Sequence, residues 1–169
     1  MNSNYIISEL KKNKLVFNEL LENLDDNLIT WKSTPDKWSL LEIVCHLVDE
    51  EINDFRARLK STLENPEKEL IPIDPIGWVI SKKYIEQNYN TKLVEFLNER
   101  EKSIIYLEQL KEPKWDNFYQ HAKFGKLSAK LFFTNWLAHD YLHIRQIIKL
   151  KYDYLSFTSK ENLNYAGNW

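Results

Sequence analysis

Apolar residues recur every three or four positions over four stretches of this chain, the period of an α-helix with one buried face. The first stretch runs from about Asn4 to Leu24. Ile7, Leu10, Lys14, Phe17, Leu21 and Leu24 lie close to one stripe, and Asp25-Asp26-Asn27 ends it. The second has the clearest start, because Ser39-Leu40-Leu41-Glu42 matches a capping box. Its stripe is Leu41, Cys45, Val48, Ile52, Phe55 and Leu59, fading near Ser61. The third runs from about Thr91 to Leu110, with Leu93, Phe96, Leu97, Ile104, Leu107 and Leu110 inward, and Pro113 closes it. Ser128 is placed to cap the fourth, which extends to about Leu150 with an apolar arc of Ala129, Phe133, Trp136, Leu137, Ile144 and Ile147.

The segments between them read as connections. Thr30 to Trp38 is one. Glu64 to about Asn90 is a longer one, punctuated by Pro66, Pro72, Pro75 and Gly77, with room for a short helix from Trp78 to Gln87. Trp115, Phe118, His121, Phe124 and Gly125 fall in a third, and an aromatic tail from Tyr152 to Trp169 is expected to dock on the body. The pattern predicts an all-α protein, one four-helix-bundle domain over residues 1–169. The connection between helices two and three is long enough to return along the bundle, so those two helices are free to lie parallel.

Composition narrows the class. Three glycines and five prolines in 169 residues are too few for a turn-rich β fold, and 43% hydrophobic content supports a folded core. A net charge of −2 recommends no nucleic acid as partner. The N-terminus has charges interrupting its apolar residues and no signal-peptide core, and no apolar run approaches a membrane span. Cys45 is the only cysteine, so no internal disulfide forms, and a reducing cytoplasm is the expected compartment. Cys45 itself falls on the core stripe and reads as a small buried hydrophobe.

Candidate chemistry lies in four histidines. His139 and His143 stand at i and i+4, one turn apart on one helix face, where two neutral imidazoles can share a divalent metal. They border the apolar arc, with Phe132 between them in angle and Asn135 and Gln146 on the polar side. A third ligand has two candidates. His46, in the second helix, lies toward Glu42, Glu50 and Asn53, either on the surface or lining a groove that faces the fourth helix. His121 sits in the connection before it. Glu50, one turn beyond His46, can support a ligand or act on a metal-bound water. Asp140 falls within the apolar arc, where an unpaired carboxylate is costly. It either supports a ligand or pairs with a neighbouring helix.

The ordered set Lys37-Trp38-Ser39-Leu40-Leu41-Glu42-Ile43, His46-Leu47, His121-Ala122-Lys123-Phe124-Gly125-Lys126-Leu127-Ser128 and Ala138-His139-Asp140-Tyr141-Leu142-His143-Ile144-Arg145-Gln146-Ile147 resembles the DinB/YfiT-like metalloenzyme superfamily, in its DinB-like branch. Tyr165-Ala166-Gly167-Asn168-Trp169 is similar to the tail of some members. The resemblance implies an up-down-down-up four-helix bundle and one divalent metal, zinc or nickel, held by His46, His139 and His143. It gives His121 a structural or supporting role.

Three imidazoles leave a divalent ion an open position, from which it activates water or deprotonates a thiol. The expected function is therefore metal-dependent chemistry on a small molecule. Transfer to a low-molecular-weight thiol co-substrate stands slightly ahead of hydrolysis. The alternative is a bundle that binds metal or ligand without turnover and acts as a dimeric interaction module. A homodimer is the expected assembly.

Overall fold

Asn2 opens the first helix by accepting a hydrogen bond from the Tyr5 backbone N–H. This computed structural model describes residues 2–167. Helix α1 (Ser3–Leu21) is followed by a one-turn α2 (Asp26–Thr30), capped by Asp25. The second rod is built in three pieces: α3 (Leu40–Asp49), a π-helical turn (Glu50–Phe55) and α4 (Arg56–Glu64). The long connection carries α5 (Pro75–Ser81) and a 3₁₀ turn at Tyr84–Glu86. Then follow α6 (Tyr89–Gln109), a hairpin of β1 (Phe118–His121) and β2 (Gly125–Ser128), α7 (Ala129–Ser159) and a 3₁₀ turn at Leu163–Ala166.

The result is a four-helix bundle in which α1 packs on α6 and α7, and the second rod packs on the same two helices. Two apolar clusters fill it. One joins Phe17 and Leu21 of α1, Leu40 to Val48 of α3, Leu93 and Phe96 of α6, and Ile147 and Leu150 of α7. The other joins Ile6 and Leu10, Phe55 and Leu59, Leu107, and Phe132 to Leu137. The starts of α3 and α6 therefore share one end of the bundle with the far ends of α1 and α7. Burying these side chains contributes roughly 1.5–3 kcal/mol each. No helix of the described residues is long and apolar enough to cross a membrane.

Several elements depart from the pattern-based expectation. The segment before α7 is an antiparallel hairpin rather than a plain connection, with Phe118 opposite Ser128 and His121 opposite Gly125. Gly125 turns it at φ +71°. A short helix fills Asp26–Thr30, where a simple stop was expected. Helix α7 continues to Ser159, past Leu150, because Tyr154 and Phe157 give its last turns an aromatic partner in Trp31. The tail beyond it is not docked over its described part, since Tyr165 is fully exposed. Asn168 and Trp169 lie outside the described residues. On α1 the buried stripe is Ile6, Leu10, Asn13, Phe17 and Leu21, so a polar Asn13 takes the place given to Lys14.

Candidate metal centre

Every residue of α3 from Leu40 to Val48 is buried, whatever face it occupies. The helix is seated by the capping box predicted for it, with the Glu42 backbone N–H donating to Ser39 Oγ and the Ser39 N–H donating to Glu42 Oε2. His46 is thus carried into the interior, only 5% exposed. Its wheel position had suggested the polar side, but on this helix the polar side faces α7.

There His46 meets the pair from α7. His46 Nε2 lies 3.3 Å from His139 Nε2, and His143 Nε2 lies 3.0 Å from the same atom. The ligand atoms of all three residues fall within 4.8 Å of one another. Trp38 packs on the His46 ring and Phe55 on the His139 ring, centroids 4.9 and 5.0 Å apart.

The donor set fits a divalent ion. Four ligands at zinc–nitrogen lengths in a tetrahedron stand about 3.3 Å apart. A neutral imidazole has one N–H and one lone pair, so His139 Nε2 cannot serve both neighbours well by hydrogen bonding. Three lone pairs turned to one point suit a cation. The protons then belong on Nδ1, and Nδ1 of His46 and of His143 are both buried without a hydrogen-bond partner. Burial, then the neighbouring His143, pushes the His46 imidazole down to about 3. Burial, then His143, His46 and Arg100, pushes His139 down to about 2. Burial lowers His143 as well. At neutral pH all three are unprotonated, as metal ligands must be.

Glu50 stands over this cluster from the π turn. Its Oε1 is 3.9 Å from His46 Nδ1 and its Oε2 is 3.9 Å from His139 Nε2. Glu50 Oε1 is buried without a hydrogen-bond partner. Burial, then the adjacent Asp54, raises this carboxyl to about 8. Asp54 is raised too, by burial, against the pull of Arg58. The two carboxyls share a site that holds a proton near neutral pH.

The other candidates distribute as follows. Gln146 lies beside His143 and favours its charged form. Phe132 is buried in the apolar cluster below the site. Asn135 is exposed and donates to the Leu131 carbonyl of its own helix. His121 belongs to the hairpin, where its Nδ1 accepts from the Lys123 and Phe124 backbone N–H groups, and it is not among the three converging imidazoles. Cys45 is buried, and burial pushes its thiol up to about 12.

Asp140 takes the pairing role rather than touching an imidazole nitrogen. Arg100 donates to both of its oxygens at 2.6 Å, and Asn13 donates to Oδ2 at 3.1 Å. Arg100 also donates to Glu51 at 2.6 Å, which further accepts from Trp136 Nε1 and from the Ser103 hydroxyl. Sequence reasoning missed Arg100, Glu51 and Asn13. The signal was present for Arg100, a charged residue in line with the inward positions Leu93, Phe96 and Leu107 and more deeply buried than its charged neighbour Glu99.

A comparison with curated proteins finds no match. Among solved structures the chain is similar to YfiT from Bacillus subtilis, a probable metal-dependent hydrolase with an unusual four-helix bundle topology. The TM-score is 0.78 at 17% identity, covering 95% of this chain and 89% of that one, a likeness of fold. Residues 9–147, which carry all three converging imidazoles, match the model of the DinB superfamily, and the chain belongs to that superfamily.

Proposed function

We propose that this protein is a metal-dependent enzyme acting on a small molecule, with the metal held by Nε2 of His46, His139 and His143 and with Glu50 as general base. The observation that carries the reading is the buried carboxyl of Glu50, 3.9 Å from His139 Nε2, over three convergent lone pairs. When bound, a divalent metal supplies Lewis acidity, polarising a substrate and easing proton loss from a nucleophile. Glu50 is placed to take that proton at Oε2 and later return it to a leaving group. With its proton affinity near neutrality it can do both. Asp54 keeps the released proton within the pair.

Hydrolysis is the reaction this geometry supports best, and the fold it shares with YfiT supports the same class. Transfer to a low-molecular-weight thiol is the second reading. The aromatic rings of Trp38 and Phe55 beside His46 and His139 favour it, because they make a dry collar suited to a weakly hydrated sulfur nucleophile.

The test uses tag-free protein, reloaded with zinc or nickel and assayed by elemental analysis. Activity is then screened on ester and amide substrates and on thiol–electrophile pairs. His139→Ala is expected to lose the metal and all turnover. Glu50→Gln is expected to keep the metal and lose about 10²–10⁴-fold in rate. Uptake below about a tenth of an equivalent after reloading overturns the metal site. Turnover unchanged in Glu50→Gln overturns the base assignment.

A further inference from the structure

Beneath the imidazoles lies a second polar assembly that joins α1, the π turn, α6 and α7 through Asn13, Glu51, Arg100 with Ser103, and Asp140 with Trp136. Its three charged members are 0–1% exposed. Two carboxylates face one guanidinium, so the assembly carries one surplus negative charge. Asn13, Ser103 and Trp136 donate hydrogen bonds but no charge. Arg56, the next cation outward, reaches Ser103 and pairs with Glu99, which the largely exposed Lys102 also reaches.

A surplus charge buried this deeply is costly unless something compensates it. Asp140 follows His139 in the chain and favours positive charge on His143, while Arg100 disfavours it on His139. Phe55 packs between His139 and Trp136, stacked on the indole at 5.8 Å, and that indole N–H holds Glu51. A divalent cation on three neutral imidazoles brings charge of the opposite sign to this wall.

We propose that the Asn13–Asp140–Arg100–Glu51 network is the electrostatic frame of the metal centre, with Glu51 as a positioning residue whose charge offsets the cation without touching it. The proposal rests on the metal reading above. It makes an unusual demand: neutralising Glu51 affects the metal-free and metal-loaded states in opposite directions. In Glu51→Gln, Arg100 keeps its two bonds to Asp140 and forms a balanced pair. The retained amide oxygen still accepts from Arg100 and Trp136. The new amide N–H₂ faces Ser103 Oγ, whose own proton has a second acceptor in the Glu99 carbonyl. The variant is therefore built to fold.

The experiment is a Co²⁺ titration of the full chain followed by ligand-field absorbance, with thermal unfolding of the chelator-treated protein beside it. Glu51→Gln is expected to bind Co²⁺ at least about tenfold more weakly, with an unchanged band shape and a metal-free Tm equal to or above the wild type. Asp140→Asn, where it folds, is expected to weaken Co²⁺ binding by a similar factor. A Co²⁺ affinity within about twofold of wild type in Glu51→Gln overturns the proposal, as does a metal-free Tm that falls while affinity holds, the mark of a purely structural role. If wild type itself takes up no Co²⁺, the metal reading fails and takes this one with it. If wild type binds and Glu51→Gln binds equally well, only the frame is refuted.

Discussion

Acidifying the metal-free protein tests whether the imidazoles are as deeply neutral as their burial implies. In the unfolded chain each histidine takes up a proton near pH 6.5. In the fold, His46 does so only near 3 and His139 near 2, with His143 also lowered, all because burial disfavours the charged ring. Below pH 6.5 the unfolded state therefore binds more protons, and stability falls as pH falls. Each group contributes at most about 1.4 kcal/mol per pH unit, so His46 and His139 contribute about 2.7 kcal/mol per unit together, and His143 adds to them in the same direction. Glu50 and Asp54 act in the opposite sense, since their carboxyls are raised in the fold. Between their ordinary range and the folded value of about 8 for Glu50, they lose stability as pH rises, together by at most about 2.7 kcal/mol per unit. In Glu50→Gln, where only Asp54 still opposes them, the net decline on going down from pH 6.5 toward 4.5 is expected to be at least about 1.4 kcal/mol per unit, and in wild type it is smaller. A decline from pH 6.5 up to 8, of at most about 1.4 kcal/mol per unit from Glu50, is expected on the other side. The assay is urea unfolding of chelator-treated protein across that range, repeated on Glu50→Gln. A stability maximum near pH 6.5, with its alkaline limb flattened in the variant, is expected. Stability of Glu50→Gln that is flat from pH 6.5 to 5 refutes the buried-neutral imidazoles, and wild-type stability rising steadily through pH 8 refutes the raised Glu50 carboxyl.

Two further predictions concern the scaffold that presents it. Ser39→Ala removes the acceptor for the Glu42 N–H inside a buried capping box and is expected to cost about 1 kcal/mol, read as a lowered urea midpoint at unchanged slope; an unmoved midpoint shows the cap to be dispensable. Gly125→Ala meets no atom within 4 Å but forces a side chain into a φ of +71°, so a loss of about 1 kcal/mol is expected from backbone strain alone, and no loss would mean the hairpin relaxes.

The bundle was legible because α-helical periodicity survives wherever one face is buried and another is wet. The capping box at Ser39 and the pair His139 and His143 could be read by spacing alone, being local. The wheel left His46 between the surface and a groove facing the fourth helix, because the polar side of this helix is buried like the rest and only the packing of α7 on it decides between the two. The hairpin was hidden for a different reason. Its two strands are only four residues each, too short for alternation to show, and Gly125 was its one clear sign. Arg100 was concealed by its residue type, because a charged member of an inward stripe looks like an interruption until Asp140 and Glu51 are seen opposite it.

The π turn carries two adjacent carboxylates with different surroundings. Glu50 and Glu51 are neighbours in sequence and both are buried, yet one faces the imidazoles and the other faces Arg100. A helix that stayed α-helical would close its turn again in under four residues. The wider turn at Glu50–Phe55 instead spreads Glu50, Glu51, Asp54 and Phe55 between the imidazole cluster and the charged network. Such turns are rare and frequently mark functional sites. Here the reason is geometric. On the reading proposed above, one helix presents a proton carrier to the three imidazoles, a counter-charge to the network behind them and an aromatic ring between the two. The π turn lies where those three demands meet, at the midpoint of the second rod.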